Sequence, residues 1–299
     1  MSTPFTPERW AFEITHLLNA AFGADHFPID VPMVAKEYTS QRVPEEPIVS
    51  VAGDNLPNFD GALFKAPSGR KGWGIIYNDR IRSKGRINFT LAHEFGHFLL
   101  HRIAYPNGFR CGEQDVVRWE SEYGQIEHQA NVFAANLLMP LDDFRRQIPA
   151  SDKIGMDMLS ACAERYRVSF VASALRWLNY TDKRAILVVS RDGFILWARS
   201  SQHAFRTGAY FRTSAGPIEI PAASLPMRQG LLNDGMATID HATGIWLREP
   251  VHEMTLVAEQ YDFAISLLLL ADTAPPFFAD AEPEQDTYDR MTAVRRREW

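Results

Sequence analysis

Two cysteines in 299 residues are too few for a disulfide framework, so the chain is expected in a reducing compartment. An excess of positive charge is missing too. The 31 Lys and Arg stand against 37 Asp and Glu, a formal net charge of -6, which excludes a chain-wide basic field for nucleic acid or membrane. Any contact with phosphate must come from a local patch. Long apolar runs are also lacking: the longest, Phe263 to Ala271, is broken by Ser266 and falls far short of the roughly 18 residues that span a bilayer. Residues 1 to 30 carry acids and no basic stretch ahead of an apolar one, so no signal peptide is expected. Together these absences predict a soluble, cytoplasmic protein with no membrane partner. With 46% hydrophobic and 23% charged residues the composition is that of a globular chain, long enough for about two domains.

What is present reads as helices first and strands later. Thr6, Pro7 and Glu8 open a helix whose apolar positions Trp10, Ile14, Leu17, Leu18 and Ala21 repeat at helical spacing until Gly23. Asp30 caps a second through Tyr38. Residues 61 to 65 and 72 to 77 read as a β-hairpin turned at Pro67, Ser68 and Gly69. A helix capped by Asn88 or Thr90 carries Leu91, Phe95 and Leu99 on one face. Residues 101 to 124 hold Pro106, Asn107, Gly108 and Gly112 among polar residues and read as loop. A helix over 126 to 139 ends at Pro140, and 156 to 166 with 170 to 180 form a helical hairpin with Ser169 as N-cap. Beyond Thr181 the texture changes to strands at 185 to 190, 194 to 198, 253 to 258 and 263 to 270. The expected domains are 1–145, a helical region 146–181, a sheet domain 182–272 and a tail 273–299.

Residues 93 to 97 read His-Glu-Phe-Gly-His. On a helix, positions i and i+4 lie one above the other, so His93 and His97 can share one metal ion while Glu94 projects about 100° round the axis. Two imidazoles beside one carboxylate are the ligand-and-base set of a zinc hydrolase. A catalytic zinc needs a third protein ligand and an open position. His101 lies about 6 Å further along the helix axis than His97, too far for the same ion, and reads as a residue behind the ligands. Position 103 is Ile103, so the third histidine of the metzincin spacing is missing. Carboxylates in the next interval remain: Glu127, with Glu113, Asp115, Glu120 and Glu122 as alternatives. Asn131, one turn after Glu127, is placed to accept the second N–H of a ligating histidine.

The run Asn-Phe-Thr-Leu-Ala-His-Glu-Phe-Gly-His-Phe-Leu-Leu-His over 88 to 101, followed by Glu-x-x-Ala-Asn-x-Phe-Ala-Ala-x-Leu-Leu-Met-Pro over 127 to 140, resembles the ImmA/IrrE family of zinc metallopeptidases. The resemblance implies an α+β fold with a zincin-like, gluzincin-type core. It implies Zn2+ held by His93, His97 and Glu127, with Glu94 as general base. The segment Ala163 to Leu178 resembles the family's helix-turn-helix-like middle region, and the C-terminal third is similar in length and strand texture to the GAF-like sensor domain of long members, an α/β sensor-like unit. The family cuts helix-turn-helix transcriptional repressors and so releases stress, DNA-damage or phage-defence genes. Such a repressor is therefore the expected substrate, with a small molecule or nucleic acid as activating signal.

Further expectations come from the residues. Cys111 sits beside Arg110, which favours its thiolate, and is a candidate fourth zinc ligand that holds the enzyme off; the alternative is an idle loop thiol. Cys162, among Leu159, Ala161 and Ala163, reads as a buried small apolar residue. Arg165, Arg167, Arg176, Lys183 and Arg184 form a local basic cluster able to meet phosphates, or else a solvated face. Tyr105, Tyr123 and His128 are candidate oxyanion donors. Substrate is expected extended along an edge strand such as 72 to 77. Two other functions compete: a DNA-binding regulator with a structural zinc, which has no need of Glu94, and an unspecialised intracellular peptidase.

Overall fold

A computed structural model describes residues 5–67, 69–106, 108–111, 122–258 and 263–272. The chain is a mixed α+β protein in two compact units, one of Met1–Gln147 with Ser160–Ala172, the other of Ile148–Leu159 with the chain from Ser173 onward.

The first unit opens with two capped helices. α1 (Pro7–Phe22) begins where Thr6 Oγ1 accepts the Arg9 N–H at 3.3 Å, and α2 (Val31–Arg42) where Asp30 Oδ1 accepts the Met33 N–H at 3.0 Å. Each has a proline in its first turn, where the missing N–H has no helical partner to lose. A sheet follows, made of β1 (Ile48–Asp54), β2 (Gly61–Lys65), β3 (Trp73–Asn78) and β4 (Gly108–Cys111) in the order β1-β3-β2-β4. The hairpin β2–β3 is the one read from the sequence. β1 runs parallel to β3 with most of its side chains exposed, so the free edge of β3, rather than a buried face, makes it a strand. β4 pairs antiparallel with β2, Cys111 opposite Gly61, within the stretch that reads as loop.

This order corrects the expected substrate edge. β3 lies between β1 and β2, so both its hydrogen-bonding edges are occupied and no peptide can add there.

α3 (Lys84–His101) is capped by Ser83, whose Oγ accepts the Arg86 N–H at 3.2 Å. Asn88 and Thr90 are inside the helix, not at its start; Gly85, a weak helix former, hides the first turn from a reading by propensity. Asn88 Nδ2 instead donates to the carbonyls of Tyr166 at 3.4 Å and Arg167 at 3.3 Å. α4 (Glu122–Leu138) packs on α3, and α5 (Leu141–Gln147) restarts at once after Pro140. Phe95 meets Phe133 edge-on at 5.5 Å and Phe98 meets Trp73 at 6.0 Å, fixing α3 between α4 and the sheet.

α6 (Met156–Tyr166) and α7 (Phe170–Leu178) form the expected hairpin. Arg167 takes a φ of 51° and the Val168 N–H reaches the Ala163 carbonyl at 2.9 Å, closing α6. Ser169 Oγ then accepts the Ala172 N–H at 3.1 Å. Cys162 is buried, and burial pushes its thiol up to about 11.

The second unit is a sheet of β5 (Ala185–Arg191), β6 (Phe194–Ser200), β7 (Met236–His241), β8 (Val251–Ala258) and β9 (Phe263–Leu269), in the order β6-β5-β9-β8-β7. Every pair is antiparallel, which makes this unit α+β rather than α/β. Asp192 and Gly193, at φ 52° and 82°, make the two-residue hairpin turn between β5 and β6. A short helix α8 (Gln202–Arg206) follows, and Ile186, Val188, Ile195, Ile220, Trp246 and Leu268 share one core. β7 escapes a sequence reading because it is an edge strand with mostly exposed or half-buried side chains. Residues 112–121 and the expected tail 273–299 lie outside the described residues.

Candidate metal centre

The site forms where α3 and α4 cross, and small residues allow the crossing. A Cβ on Gly96 would stand 2.9 Å from the Phe133 ring and 3.3 Å from Ala130 Cα, so a larger residue at 96 would push the helices apart. On α3, His93 and His97 face the same way one turn apart. From α4, Glu127 places Oε2 3.1 Å from His93 Nε2 and Oε1 3.2 Å from His97 Nε2. The two Nε2 atoms are 2.9 Å apart.

The chemistry of these four atoms suits a metal ion. His93 Nδ1 lies 2.9 Å from Asn131 Oδ1, so its N–H points outward and its Nε2 lone pair points inward. Behind His97 stands His101, Nδ1 to Nδ1 at 3.0 Å. Two imidazole nitrogens and a carboxylate thus converge, a donor set suited to a cation. The spacings of 2.9, 3.1 and 3.2 Å bring both ring nitrogens and the carboxylate close enough to face one small cation. The residues fit a metal ion, and among the described residues His93, His97 and Glu127 are the group able to hold one.

The electrostatics agree with the donor set. Burial pushes the His97 imidazole down to about 4, leaving it neutral. Burial acts against a charged His93 as well, but the Glu127 hydrogen bond and the Glu94 charge outweigh it and hold this imidazole above its ordinary value. For Glu127, burial raises and the two histidine hydrogen bonds lower; the second effect wins and the carboxyl stays well below the usual range. A metal ion at this place would compete with protons for the same lone pairs.

Glu94 is fully buried, one residue along from His93, beneath β2. A Cβ on Gly61 would lie 2.5 Å from Thr90 Cγ2 and 3.1 Å from Glu94 Oε1. Only glycine lets the strand run this close over the carboxylate.

Residues 45–178 match the family model of the IrrE N-terminal-like domain, Peptidase_M78. This segment belongs to the ImmA/IrrE family of M78 peptidases. A comparison with curated proteins finds no match for the chain. The M78 segment contains β1 through α7, and with them all the converging residues; α1, α2 and the second sheet lie outside it. Among the described residues no helix is long and apolar enough to cross a membrane.

Other expected residues fall differently. The expected basic cluster is corrected residue by residue: four of its five side chains are buried or half-buried. Arg184 is buried and gives two hydrogen bonds of 2.7 Å to Glu249, and Arg176 is buried too. Arg165 pairs with Asp143 at 3.1 Å and Asp25 at 2.8 Å, and Lys183 with Asp272 at 3.0 Å. The charges of Arg165, Lys183 and Arg184 are thus met by carboxylates; Arg167 alone of the five is exposed. Cys111 ends β4 opposite Gly61, and its side chain is outside the described residues, as are Glu113, Asp115 and Glu120. Glu122 opens α4. Tyr123 and His128 belong to α4, and Tyr105 follows α3, its N–H bonded to the His101 carbonyl at 3.0 Å. Sequence reasoning missed Gln129, whose Oε1 lies 2.9 Å from His101 Nε2, and Gly61; nothing in their local pattern marks either one.

Proposed function

We propose that the chain is a zinc-dependent endopeptidase whose substrate is a helix-turn-helix transcriptional repressor. The observation that carries the reading is the convergence of His93, His97 and Glu127 beside a fully buried Glu94 in a segment of a peptidase family. His93, His97 and Glu127 hold the ion. Zinc bound there supplies Lewis acidity toward a peptide carbonyl and toward water. Glu94 accepts the proton of the attacking water, whose oxygen forms the new bond to the carbonyl carbon. The same carboxyl then returns that proton to the departing amine nitrogen as the C–N bond breaks. Asn131 and His101 orient the two imidazoles.

β4 is the sheet edge next to β2, the strand over Glu94, and is the edge on which an extended peptide would add. Cys111, at the end of that strand, is the candidate for a removable fourth ligand. The second unit, an antiparallel sheet with its own core, is read as the sensor-like part that receives the activating signal.

The test is incubation of the zinc-loaded full chain with the repressor encoded beside its gene, with mass mapping of the fragments. The wild type should cut at one defined site. Glu94→Gln should keep the metal and lose cleavage by roughly 10²- to 10⁴-fold, because an amide of the same size cannot take the proton. Cleavage of unrelated unfolded peptides at equal rate would favour an unspecialised peptidase, and near wild-type cleavage by Glu94→Gln would remove the general-base role. A DNA-binding regulator is disfavoured by the burial of Arg176 and Arg184.

A further inference from the structure

The geometry points to Gln129 as a positioning residue for the metal: through His101 it fixes His97 in the tautomer that presents a bare Nε2 to the site. The inference rests on the reading of His97 as a metal ligand given above. His101 Nε2 lies 2.9 Å from Gln129 Oε1. A carboxamide oxygen only accepts, so the proton of neutral His101 sits on Nε2 and its Nδ1 is a lone pair. That lone pair faces His97 Nδ1 at 3.0 Å. A hydrogen bond between two ring nitrogens needs one proton, and here it comes from His97 Nδ1. Neutral His97 has no second N–H, so its Nε2 is bare where it meets His93 Nε2 at 2.9 Å and Glu127 Oε1 at 3.2 Å.

Asn131 does for His93 directly, at 2.9 Å, what Gln129 does for His97 through one intermediate ring. α4 therefore supplies three successive functions at alternate positions: a ligand at 127, a remote acceptor at 129 and a direct acceptor at 131. Position 129 starts about 200° round the helix from 127, so a long side chain is required there. Without the Gln129 acceptor, His101 gains by moving its proton to Nδ1 and donating to His97. His97 must then carry its own proton on Nε2, in the place the metal would take.

Two measurements on the full-length protein test this. In the metal-free protein at neutral pH, ring 15N shifts of wild type should show His97 with Nδ1 protonated and Nε2 bare. Gln129→Glu keeps an acceptor of the same reach and should keep that pattern. Gln129→Met keeps the length without the acceptor and should reverse or mix it. Zinc titration against a competing chelator should find Gln129→Met weaker by roughly 10- to 100-fold, with Gln129→Glu within about three-fold of wild type. Should methionine not be accommodated, Gln129→Asn, one methylene too short, carries the same expectation. A folded Gln129→Met or Gln129→Asn with the wild-type ring pattern and wild-type zinc affinity overturns the inference. Wild type that shows the pattern but takes up no zinc removes the metal reading and leaves the tautomer assignment standing.

Discussion

Two carboxylates that each meet histidine, Glu127 half-buried and Glu253 fully buried, behave in opposite ways. Glu127 meets His93 and His97 at 3.1 and 3.2 Å, where its carboxylate converges with two imidazole Nε2 atoms. Glu253, fully buried in β8, is surrounded by donors: His241 Nε2 at 2.6 Å, Thr255 Oγ1 at 2.8 Å, Trp246 Nε1 at 3.0 Å, Ser266 Oγ at 3.2 Å and the Leu225 N–H at 3.2 and 3.3 Å. The first cluster could hold a cation; the second is filled by donors. A histidine beside a buried carboxylate is therefore no sign of a metal site by itself. What distinguishes the two is where the outer ring nitrogens and neighbouring hydroxyls send their protons.

The comparison breaks most sharply at the ligand itself. Glu127→Ala should lower zinc affinity by well over the roughly 100-fold typical of losing a residue behind the ligands, measured by chelator competition on folded protein. Undiminished zinc would move the third ligand elsewhere. At the closed cluster, Glu253→Leu should destabilise the protein by about 3 kcal/mol or more, because it leaves the buried His241, Trp246 and Leu225 N–H groups without their acceptor. Urea unfolding reads this, and unchanged zinc affinity in the variant would sharpen the contrast; a loss below about 1 kcal/mol would show the knot to be dispensable.

Asp143 offers a pH test of a buried carboxylate that is structural. Burial raises its carboxyl, but hydrogen bonds from Tyr166 at 2.6 Å, Arg165 and Arg146 hold it below its ordinary 3.8. A depressed folded value means that its contribution is complete above the unfolded value and drains as pH falls through the folded one. Asp143→Asn should therefore be less stable than wild type at pH 7 by about 1–3 kcal/mol, and urea midpoints should converge as the pH drops below about 4. Parallel curves down to that pH would deny Asp143 this role. The smallest effect expected is at Cys111. If its sulfur caps the ion, Cys111→Ala should raise basal cleavage several-fold by freeing the open position; unchanged activity, with wild-type Cys111 alkylating freely in the zinc-loaded enzyme, would return it to an ordinary thiol.

Much of the helical half was legible in the residues. Thr6 and Asp30 cap as side chains of their type do, and His93 and His97 must share a face wherever that run is helical, since four residues make about one turn. The hairpins at 61–78 and 185–200 were legible from their turn chemistry. Edge strands were not: β1 and β7 bury little, and a partner's free edge, distant in sequence, makes them strands. The same reason moved β3 from edge to interior, because β1 pairs with it from outside the hairpin.

At the centre, sequence alone determined which two imidazoles point together and that a carboxylate lies beside them, because both are matters of helical period. It could only offer Glu127 among several acids. Tertiary structure decided the rest. The crossing at Gly96 and Ala130 brings Glu127 within reach, the passage of Gly61 shields Glu94, and Gln129 is recruited behind His101. It also buried Arg176 and Arg184 and paired Arg165, Lys183 and Arg184 with carboxylates. The physical reason is common to all of these. Periodicity tells where a side chain points from its own element, whereas its partner, its burial and the position of its proton depend on an element that the chain brings back from elsewhere.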